Sequence, residues 1–456
     1  MQTRRQLLIQ AIAPAFAFAA DSPWLEMERI LRRVQAPKFP AKDFAVTAYG
    51  AVADGKTDCT EAFRKAVRAC NAAGGGRVVA TGGVFLTGPI HLLSNVNLCV
   101  DKGATIRFQR ETKYYLPIVL TRWEGVECMN YSPLIYALDQ ENIGVTGEGT
   151  LDGNADCSNW WPWKGRTQCG WKKGEPNQAA ARDRLVEMGE TDVPVAKRTF
   201  GEGAYLRPQF IEPYRCRNVV IQDVTIVNSP MWELHPVLCR NVLIDGVKID
   251  THGPNNDGCD PESCNDVVIQ NCMFNTGDDC IAIKSGRNRE GRRIGIPTEN
   301  VVIRNCLMKD GHGAVTLGSE LSGGIRNVYV ENCRMESPHQ ERILRIKTNS
   351  VRGGFAQKIY MRDMKATELA EAAVSIDFTY EEGDSGKFDP VVKDILVSRI
   401  SCTKAKYAIY MKGYARKPIS GVVIEDCTFD GVKNPNVLEH VDGLVVRNVT
   451  VNGEKL

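Results

Sequence analysis

The 456-residue sequence lacks three features that would indicate other kinds of protein. No C-x-x-C pair occurs among its sixteen cysteines, so we expect no structural zinc site. After the first twenty residues no stretch reaches the roughly 18 apolar residues of a membrane span. The formal net charge of +2 provides no broad basic surface for nucleic acid. We therefore expect neither a membrane nor a nucleic-acid partner, and an anionic ligand would need local cations.

The first twenty residues predict an export signal. Arg4 and Arg5 precede an apolar run over residues 9–19, which ends in small residues. The paired arginines favour the twin-arginine route over the general secretory route. We therefore expect residues 1–20 to be a signal peptide and the mature protein, 21–456, to be a single catalytic domain that is periplasmic or secreted.

The cysteines follow the repeat described below more closely than they follow a disulfide framework. A chain of this length does not need disulfides to complete its core. Cys157 and Cys169 bracket a loop and form the one predicted disulfide. Four others follow Asn or Asp at the same place in the repeat, which predicts a ladder of small buried side chains: Cys272, Cys306, Cys333 and Cys427.

Helical periodicity is missing from the second half of the chain, where a short unit recurs instead. Each unit has two short β-branched and apolar runs around an Asn-Cys or Asp-Gly corner. Units of this kind predict an all-β solenoid of parallel coils. A β-propeller would need about 40 residues per unit, and a leucine-rich repeat would need regular Leu spacing. Units begin at Asn142, Asn218, Asn241, Asp266, Asn300, Asn327, Lys358, Asp394, Gly421 and Gly443.

Two segments depart from the repeat. Residues 59–73 have helical spacing and end at a glycine run, so we predict a short capping helix inside an N-terminal cap region, 43–80. Residues 153–207 are polar and rich in Gly and Pro, which predicts a surface insertion. Its tryptophans fit packing against the coil and stacking on sugar rings equally well. They are Trp160, Trp161, Trp163 and Trp171.

Four polar strings follow the spacing of the repeat. They lie about 21, 33 and 33 residues apart, so stacking of the coils should bring them together. Adjacent Asp278 and Asp279 would point to opposite faces of a regular strand, and a bend at Gly277 would let both reach one site. The strings are Asn255-Asn256-Asp257, Gly277-Asp278-Asp279, Gly311-His312-Gly313 and Arg345-Ile346-Lys347.

These strings predict a cluster of three carboxyls, one histidine and two cations. Three neighbouring carboxyls cannot all ionise easily, so at least one pKa should rise and keep a proton near neutral pH. Glycoside hydrolysis needs such an acid beside a base. Arg345 and Lys347 share a strand face, with Ile346 turned into the core, so they can bind a substrate carboxylate.

The strings and their surroundings resemble glycoside hydrolase family 28, the polygalacturonases. The resemblance spans about residues 43–450 and implies a right-handed parallel β-helix, hydrolysis with inversion, and no metal or other cofactor. The other matching segments are Asp54-Gly55, Gly74-Gly75-Gly76, Asn95-Val96-Asn97-Leu98, Trp232-Glu233-Leu234-His235-Pro236, Pro261-Glu262-Ser263-Cys264 and Cys280-Ile281-Ala282-Ile283-Lys284-Ser285-Gly286-Arg287.

The resemblance also implies a role for each site residue. The chain has Asn256 where the family usually has Thr, which affects positioning rather than the reaction. The implied roles are Asp278 as general acid, Asp257 and Asp279 as holders of the attacking water, His312 as support for the acid, Arg345 and Lys347 as binders of a galacturonate carboxylate, and Asn255 and Tyr380 as further substrate-binding residues.

Together these features predict a monomer that cleaves α-1,4-galacturonosidic bonds of a pectic polysaccharide. The insertion 153–207 is long enough to close one end of a groove, which favours exo over endo action. Three alternatives stay open: a hydrolase of rhamnogalacturonan or another substituted pectin, a calcium-dependent pectate lyase, and a non-catalytic carbohydrate-binding β-helix. Taken singly, the acidic residues are also common at solenoid corners, and His312 and the cations are common on solvated surfaces.

Overall fold

The computed structural model describes residues 22–456 and shows a parallel β-helix, so the predicted fold class is confirmed. The predicted signal peptide lies outside the described residues. Within those residues no helix is long and apolar enough to cross a membrane. The α-helices are α1, Pro23–Arg33; α2, Thr60–Ala72; α3, Ala179–Glu190; and α4, Asn288–Ile294. Short 3-10 helices span Val46–Tyr49, Thr112–Tyr115, Trp161–Lys164, Thr167–Cys169 and Val195–Lys197.

The first of the two runs in each predicted unit forms a row of stacked parallel strands, called row 1. Val219, Val242, Val267, Val301 and Val328 pair in succession along it. Its strands are Asp43–Ala45, Gly76–Ala80, Val96–Val100, Glu141–Thr146, Arg217–Gln222, Arg240–Asp245, Asn265–Gln270, Thr298–Arg304, Ile325–Glu331, Ile419–Glu425, Val441–Asp442 and Val445–Arg447.

A second row of strands, row 2, lies directly after each corner of row 1. Two long strands, Phe355–Ala366 and Val391–Cys402, run through both rows. The other strands of row 2 are Asp54–Asp58, Gly83–Thr87, Ala104–Phe108, Thr150–Asp152, Thr225–Val227, Lys248–Thr251, Met273–Thr276, Leu307–Asp310, Arg334–Met335, Thr428–Phe429, Thr450–Val451 and the antiparallel Glu454–Lys455.

A third row, row 3, carries the candidate site. Single bridges through Leu234 and Cys259 join its early strands to its later ones. Its strands are Ile90–His91, Ile135–Leu138, Ile211–Tyr214, Ile281–Ile283, Val315–Gly318, Arg342–Lys347, Ala372–Asp377, Tyr407–Lys412 and Val437–Glu439. An antiparallel hairpin of Val119–Trp123 and Val126–Asn130 lies outside the three rows.

The recurring Asn of the repeat marks a backbone position that needs a left-handed conformation. Asn142, Asn218 and Asn241 have φ of 54°, 58° and 56°, a region that Asn enters more readily than most residues. Their side chains also form a ladder, because Asn218 donates to Asn142 at 2.8 Å and Asn241 donates to Asn218 at 2.7 Å. This Asn therefore turns the backbone at the start of each row 1 strand, while the Val and Ile that follow it fill the core.

The cysteine predictions are confirmed. Cys157 and Cys169 form a disulfide, and the other fourteen cysteines are free and buried. Cys272 Sγ lies 3.1 Å from the carbonyl oxygen of Gln270, and Cys306 Sγ lies 3.2 Å from that of Arg304. The ladder thiols therefore pack as small side chains just after each corner.

The predicted capping helix is present as α2. It begins at Thr60 and ends at Ala72, and it packs against the first strands of rows 1 and 2. All of the residues with helical spacing are buried: Ala62, Phe63, Ala66, Val67 and Cys70.

Helix α1 was not predicted from the sequence. It packs across the outside of row 1, where Met27, Ile30 and Val34 cover Val302 and Tyr329. The helix has apolar side chains at helical spacing, which is the sequence signal for it.

The insertion 153–207 contains α3, three short 3-10 helices and the disulfide. Trp160 is buried against Tyr115 and Tyr131. Trp161 Nε1 donates to the carbonyl oxygen of Ser229 at 2.8 Å. These two tryptophans therefore attach the insertion to the coils.

Candidate active site

The two adjacent aspartates lie where the chain leaves row 2 for row 3. One strand ends at Thr276 and the next begins at Ile281, so residues 277–280 are not part of a regular strand. Gly277 is needed here because a Cβ would lie 2.5 Å from the carbonyl oxygen of Gly253. The predicted local bend is present, and the glycine permits close approach of two coils.

Three carboxyls from two coils meet at this point. One oxygen each from Asp257, Asp278 and Asp279 lie within 4.8 Å of one another. Asp257 and Asp279 are buried, whereas the Asp278 side chain is 22 % exposed. Asp278 is thus the carboxyl that a ligand in solution reaches most directly.

Asp279 is held by three donors from later coils. Lys347 Nζ lies 2.7 Å from Oδ2, and Arg345 Nη1 lies 3.2 Å from Oδ1. Thr316 Oγ1 donates to Oδ1 at 2.9 Å. Burial raises the pKa of Asp279, but Lys347 and Arg345 outweigh it and hold that pKa far below its ordinary value. Asp279 is therefore a fixed carboxylate.

Asp278 contacts the predicted histidine. His312 Nδ1 lies 3.1 Å from Asp278 Oδ1, and the His312 amide donates to the Asp278 carbonyl oxygen at 2.9 Å. The hydrogen bond that His312 donates to Asp278 raises the pKa of His312. Burial raises the pKa of Asp278, but His312 and Lys347 together bring it below its ordinary value. The contact therefore favours an imidazolium beside a carboxylate in the free protein.

Asp257 is the one carboxyl of the trio whose pKa is raised. Burial raises its pKa well above the ordinary value, and the charges of Asp278 and Asp260 raise it further. The expectation that one pKa would rise is confirmed at Asp257, whereas the pKa of Asp278, the predicted acid, is lowered in the free protein. The reason is that, among the described residues, Asp257 has only Lys284 in reach, with Nζ 3.9 Å from Oδ2, whereas Lys347 and His312 contact Asp279 and Asp278 at 2.7 and 3.1 Å. Asp257 Oδ1 has no hydrogen-bond partner among residues 22–456.

The two predicted cations lie on one strand face beside the carboxyls. Arg345 and Lys347 belong to the strand Arg342–Lys347, and Ile346 between them is in the core. Both cations face the ring of Tyr380, at 5.7 Å for the guanidinium carbon and 5.4 Å for Nζ. The structure thus brings together every predicted site residue of the later coils.

The two asparagines before Asp257 fix its loop. Asn256 is buried and donates to the carbonyl oxygens of Ser229 and Met231 at 3.1 and 3.0 Å. Asn255 has φ of 55°, and its Oδ1 accepts from Arg207 Nη2 at 2.8 Å. Asn255, predicted to bind substrate, therefore already has a partner in the insertion.

Three buried groups behind Asp257 were missed from the sequence. Lys284 Nζ lies 3.9 Å from Asp257 Oδ2, 3.4 Å from Asp260 Oδ1 and 3.3 Å from Glu320 Oε2. Burial raises the pKa of Asp260 to about 7 and that of Glu233 well above its ordinary value. The alternation of Ile281 and Ile283 with the residues between them is the sequence signal that could have placed Lys284 on the side away from the core.

The three carboxyls form the kind of group that can also coordinate a cation. Here Arg345, Lys347 and Thr316 already contact both oxygens of Asp279. Lys284 adds a third positive charge next to Asp257. The electrostatics of the site therefore favour an anionic ligand over a metal ion.

Comparison with known proteins agrees with this geometry. The model for glycosyl hydrolases family 28 matches residues 196–448, which contain all four polar strings. The chain belongs to this family. It is therefore a glycoside hydrolase, and the predicted resemblance is confirmed.

Several family 28 proteins are similar over most of this chain. A hyperthermoactive exopolygalacturonase from Thermotoga maritima has a TM-score of 0.93 and is 45 % identical, covering 96 % of this chain and 97 % of its own. An exo-poly-alpha-D-galacturonosidase from Dickeya chrysanthemi is 27 % identical over 90 % of this chain and 74 % of its own length. An endo-polygalacturonase from Pectobacterium carotovorum subsp. carotovorum is 26 % identical over 89 % of both.

Proposed function

We propose that this family 28 hydrolase cleaves α-1,4-galacturonosidic bonds of polygalacturonate. The observation that carries the proposal is the placement of Arg345 and Lys347 beside the carboxyl trio, on the same open face as Tyr380. Fixed guanidinium and ammonium donors suit the carboxylate of a galacturonate ring. The names of the relatives, all polygalacturonases or galacturonosidases, support the same substrate.

The arrangement suggests how an acid and a base arise together. In the free protein Lys347 helps to keep Asp278 ionised. A substrate carboxylate next to Lys347 would offset that charge and raise the pKa of Asp278. The proton of Asp257 would then move to Asp278, because the two carboxyls are within 4.8 Å. Asp278 would protonate the leaving oxygen, and Asp257 would become the base.

We propose that water, and not a side chain, attacks the anomeric carbon. Both oxygens of Asp279 are held by donors, so this carboxylate is poorly placed to act as a nucleophile. The unpartnered Oδ1 of Asp257 can accept a hydrogen bond from the attacking water. Direct attack by water inverts the anomeric configuration.

Inversion needs its own test, because the carboxyl oxygens lie closer than the roughly 6.5–9.5 Å usual for inverting pairs. Proton NMR of the first products from polygalacturonate, recorded before mutarotation, measures the anomer directly. The β-anomer is expected from an α-linked substrate. The α-anomer would show retention and a covalent intermediate.

We further propose exo action. The insertion docks beside Asp257: Arg207 donates to the carbonyl oxygens of Pro230 and Pro254 at 2.8 and 2.6 Å and to Asn255. This contact supports closure of the groove on that side. Curated relatives of nearly equal identity include both an exo and an endo enzyme, whereas the solved relative at 45 % identity is an exopolygalacturonase.

Product analysis tests exo action. Polygalacturonate is digested to a few per cent, and the products are separated by anion-exchange chromatography. Galacturonate or its dimer is expected from the first time point onward. An early ladder of oligomers would mean endo cleavage.

We also propose export to the periplasm or beyond, through the twin-arginine route, and a monomeric state. The disulfide Cys157–Cys169 supports an oxidising compartment. Cell fractionation of the wild type and an Arg4→Lys/Arg5→Lys variant tests the route, since the variant should stay in the cytoplasm. Export of the variant would indicate the general secretory route.

The monomeric state has its own test. Sedimentation of the mature protein would give its mass, and the mass of a single chain is expected.

A further inference from the structure

Lys284 is a buried cation behind the carboxyl trio, and the mechanism proposed above does not use it. It follows the strand Ile281–Ile283, and its side chain is 2 % exposed. Nζ lies 4.5 Å from the centroid of the Trp232 ring, which is itself buried. The ammonium group is therefore fixed inside the protein and almost fully shielded from solvent.

Three carboxyls surround this ammonium group. Nζ lies 3.3 Å from Glu320 Oε2, 3.4 Å from Asp260 Oδ1 and 3.9 Å from Asp257 Oδ2. Burial lowers the pKa of Lys284, but Glu320, Asp260 and Asp257 outweigh it and hold that pKa well above its ordinary value. Lys284 therefore carries its positive charge near neutral pH.

The three carboxyls do not depend on Lys284 equally. Glu320 has a second cation, because Arg287 Nη1 lies 3.4 Å from its Oε1. Ser319 Oγ donates to the same oxygen at 3.0 Å. Among the described residues Lys284 is the nearest cation to both Asp257 and Asp260. These two aspartates therefore share its charge.

The position of Lys284 also orients Asp257. The ammonium group lies on the Oδ2 side of this carboxyl, whereas Oδ1 has no hydrogen-bond partner among residues 22–456. In the proposed mechanism Asp257 gives its proton to Asp278, and Oδ1 accepts a hydrogen bond from the attacking water. A cation beside Oδ2 stabilises the carboxylate that this proton transfer leaves, and it keeps Oδ1 available for the water.

We propose that Lys284 is a positioning residue of the hydrolysis: its ammonium group faces Oδ2 of Asp257 and stabilises the carboxylate form in which Asp257 acts as the base. This inference rests on the proposed function, since it takes Asp257 as the base. Asp260 has the opposite effect, because its negative charge competes for Lys284 and repels the Asp257 carboxylate. The other charged or titratable groups that act on Asp257 or Lys284 are Glu233, Asp278, Asp279, Glu320, Arg207 and Lys347.

The test compares the pH profiles of two variants that act in opposite directions. Lys284→Met removes the cation and raises the pKa of Asp257. The basic limb of kcat/KM on polygalacturonate, where Asp257 loses its proton in the free enzyme, should therefore move up by about one pH unit or more. Asp260→Asn removes the competing charge and should move the same limb to lower pH.

The kinetic constants separate this role from substrate binding. In Lys284→Met kcat should fall about tenfold, because the base form of Asp257 is less stable. KM should stay close to that of the wild type, because the buried ammonium group does not contact the substrate. Lys393→Met is the matched control: the Lys393 side chain is 45 % exposed on row 1 and pairs with Asp394, so neither kcat nor the basic limb should change.

A basic limb that stays in place in either variant that folds would overturn the inference, even if Lys284→Met lowers kcat. Loss of packing alone lowers kcat without moving the limb. If Lys284→Met does not fold, the shift in Asp260→Asn decides.

Infrared spectroscopy separates this inference from the proposed function, because it needs no substrate. The C=O band of protonated Asp257 is identified by its loss in Asp257→Asn. This band should persist to higher pH in Lys284→Met and disappear at lower pH in Asp260→Asn. An unchanged midpoint in both variants would refute the role of Lys284, whereas absence of hydrolysis by the wild type would refute the proposed function.

Discussion

Lys347 Nζ lies 2.7 Å from Asp279 Oδ2, and both side chains are almost fully buried. The pair joins the strand Arg342–Lys347 to the segment that carries the carboxyl trio, two coils away along row 3. The same ammonium group also lowers the pKa of Asp278. Lys347 thus connects the recognition of a substrate carboxylate with the protonation of the acids.

Replacement of Lys347 by Met should shift the acidic limb of the pH profile to higher pH. Lys347 holds the pKa of Asp279 down, so its removal raises that pKa and Asp279 loses its charge at a higher pH. The proposed role of Asp279 beside the attacking water requires its carboxylate form, so activity is lost earlier on acidification. The pH dependence of kcat/KM on polygalacturonate measures the shift, and Lys309→Met, at an exposed site, is the control.

The same variant should be less stable at neutral pH. Loss of one partner from a buried ion pair costs about 3 kcal/mol. A carboxyl whose pKa is lower in the folded than in the unfolded protein stabilises the fold at pH values above its ordinary pKa. This stabilisation disappears as the pH falls toward the lowered pKa. The difference in unfolding free energy from the wild type should therefore shrink toward acid pH. An unchanged acidic limb together with unchanged stability would contradict the role of this pair.

Methyl esterification of the substrate should abolish most of the activity. An ester removes the negative charge that Arg345 and Lys347 are placed to bind, so the substrate loses its charge-assisted contacts with both cations. We expect kcat/KM to fall at least tenfold from unesterified to highly esterified polygalacturonate. Equal rates on the two polymers would contradict carboxylate recognition, and higher rates on rhamnogalacturonan would favour a substituted pectin as substrate.

Helix α1 should contribute to the stability of the coils it covers. Ile30 is fully buried against row 1, so Ile30→Ala should cost about 2–5 kcal/mol. Leu25 on the same helix is 45 % exposed, and Leu25→Ala should have little effect. Chemical denaturation of both variants tests this contrast, and equal stabilities would mean that α1 is not packed as described.

Much of the architecture was predictable because the repeat fixes register. The Asn positions mark the corners, and the Val and Ile beside them identify the core without further information. The spacing of the four strings likewise placed Asp257, Asp278, His312 and Arg345 on neighbouring coils. Helix α1 was missed because it precedes the first repeat, although Met27, Ile30 and Val34 have helical spacing.

The charge states could not be predicted from the sequence. Which of three neighbouring carboxyls keeps the proton depends on distances to cations, and these distances are set by tertiary contacts. Lys347 and His312 contact Asp279 and Asp278, whereas Asp257 faces buried acids and one lysine at 3.9 Å. The pKa is therefore raised at Asp257 and lowered at Asp278 and Asp279.

The central claim is that Asp278 takes part in hydrolysis of polygalacturonate. The most direct test measures reducing ends released by the wild type and by Asp278→Asn, with circular dichroism to confirm an unchanged fold. Loss of general acid catalysis in Asp278→Asn should reduce kcat about 10³-fold. The wild type should form its products with a chelator present, and these products should lack the ultraviolet absorbance of unsaturated sugars. Near wild-type turnover by Asp278→Asn, or chelator-sensitive unsaturated products, would contradict the account.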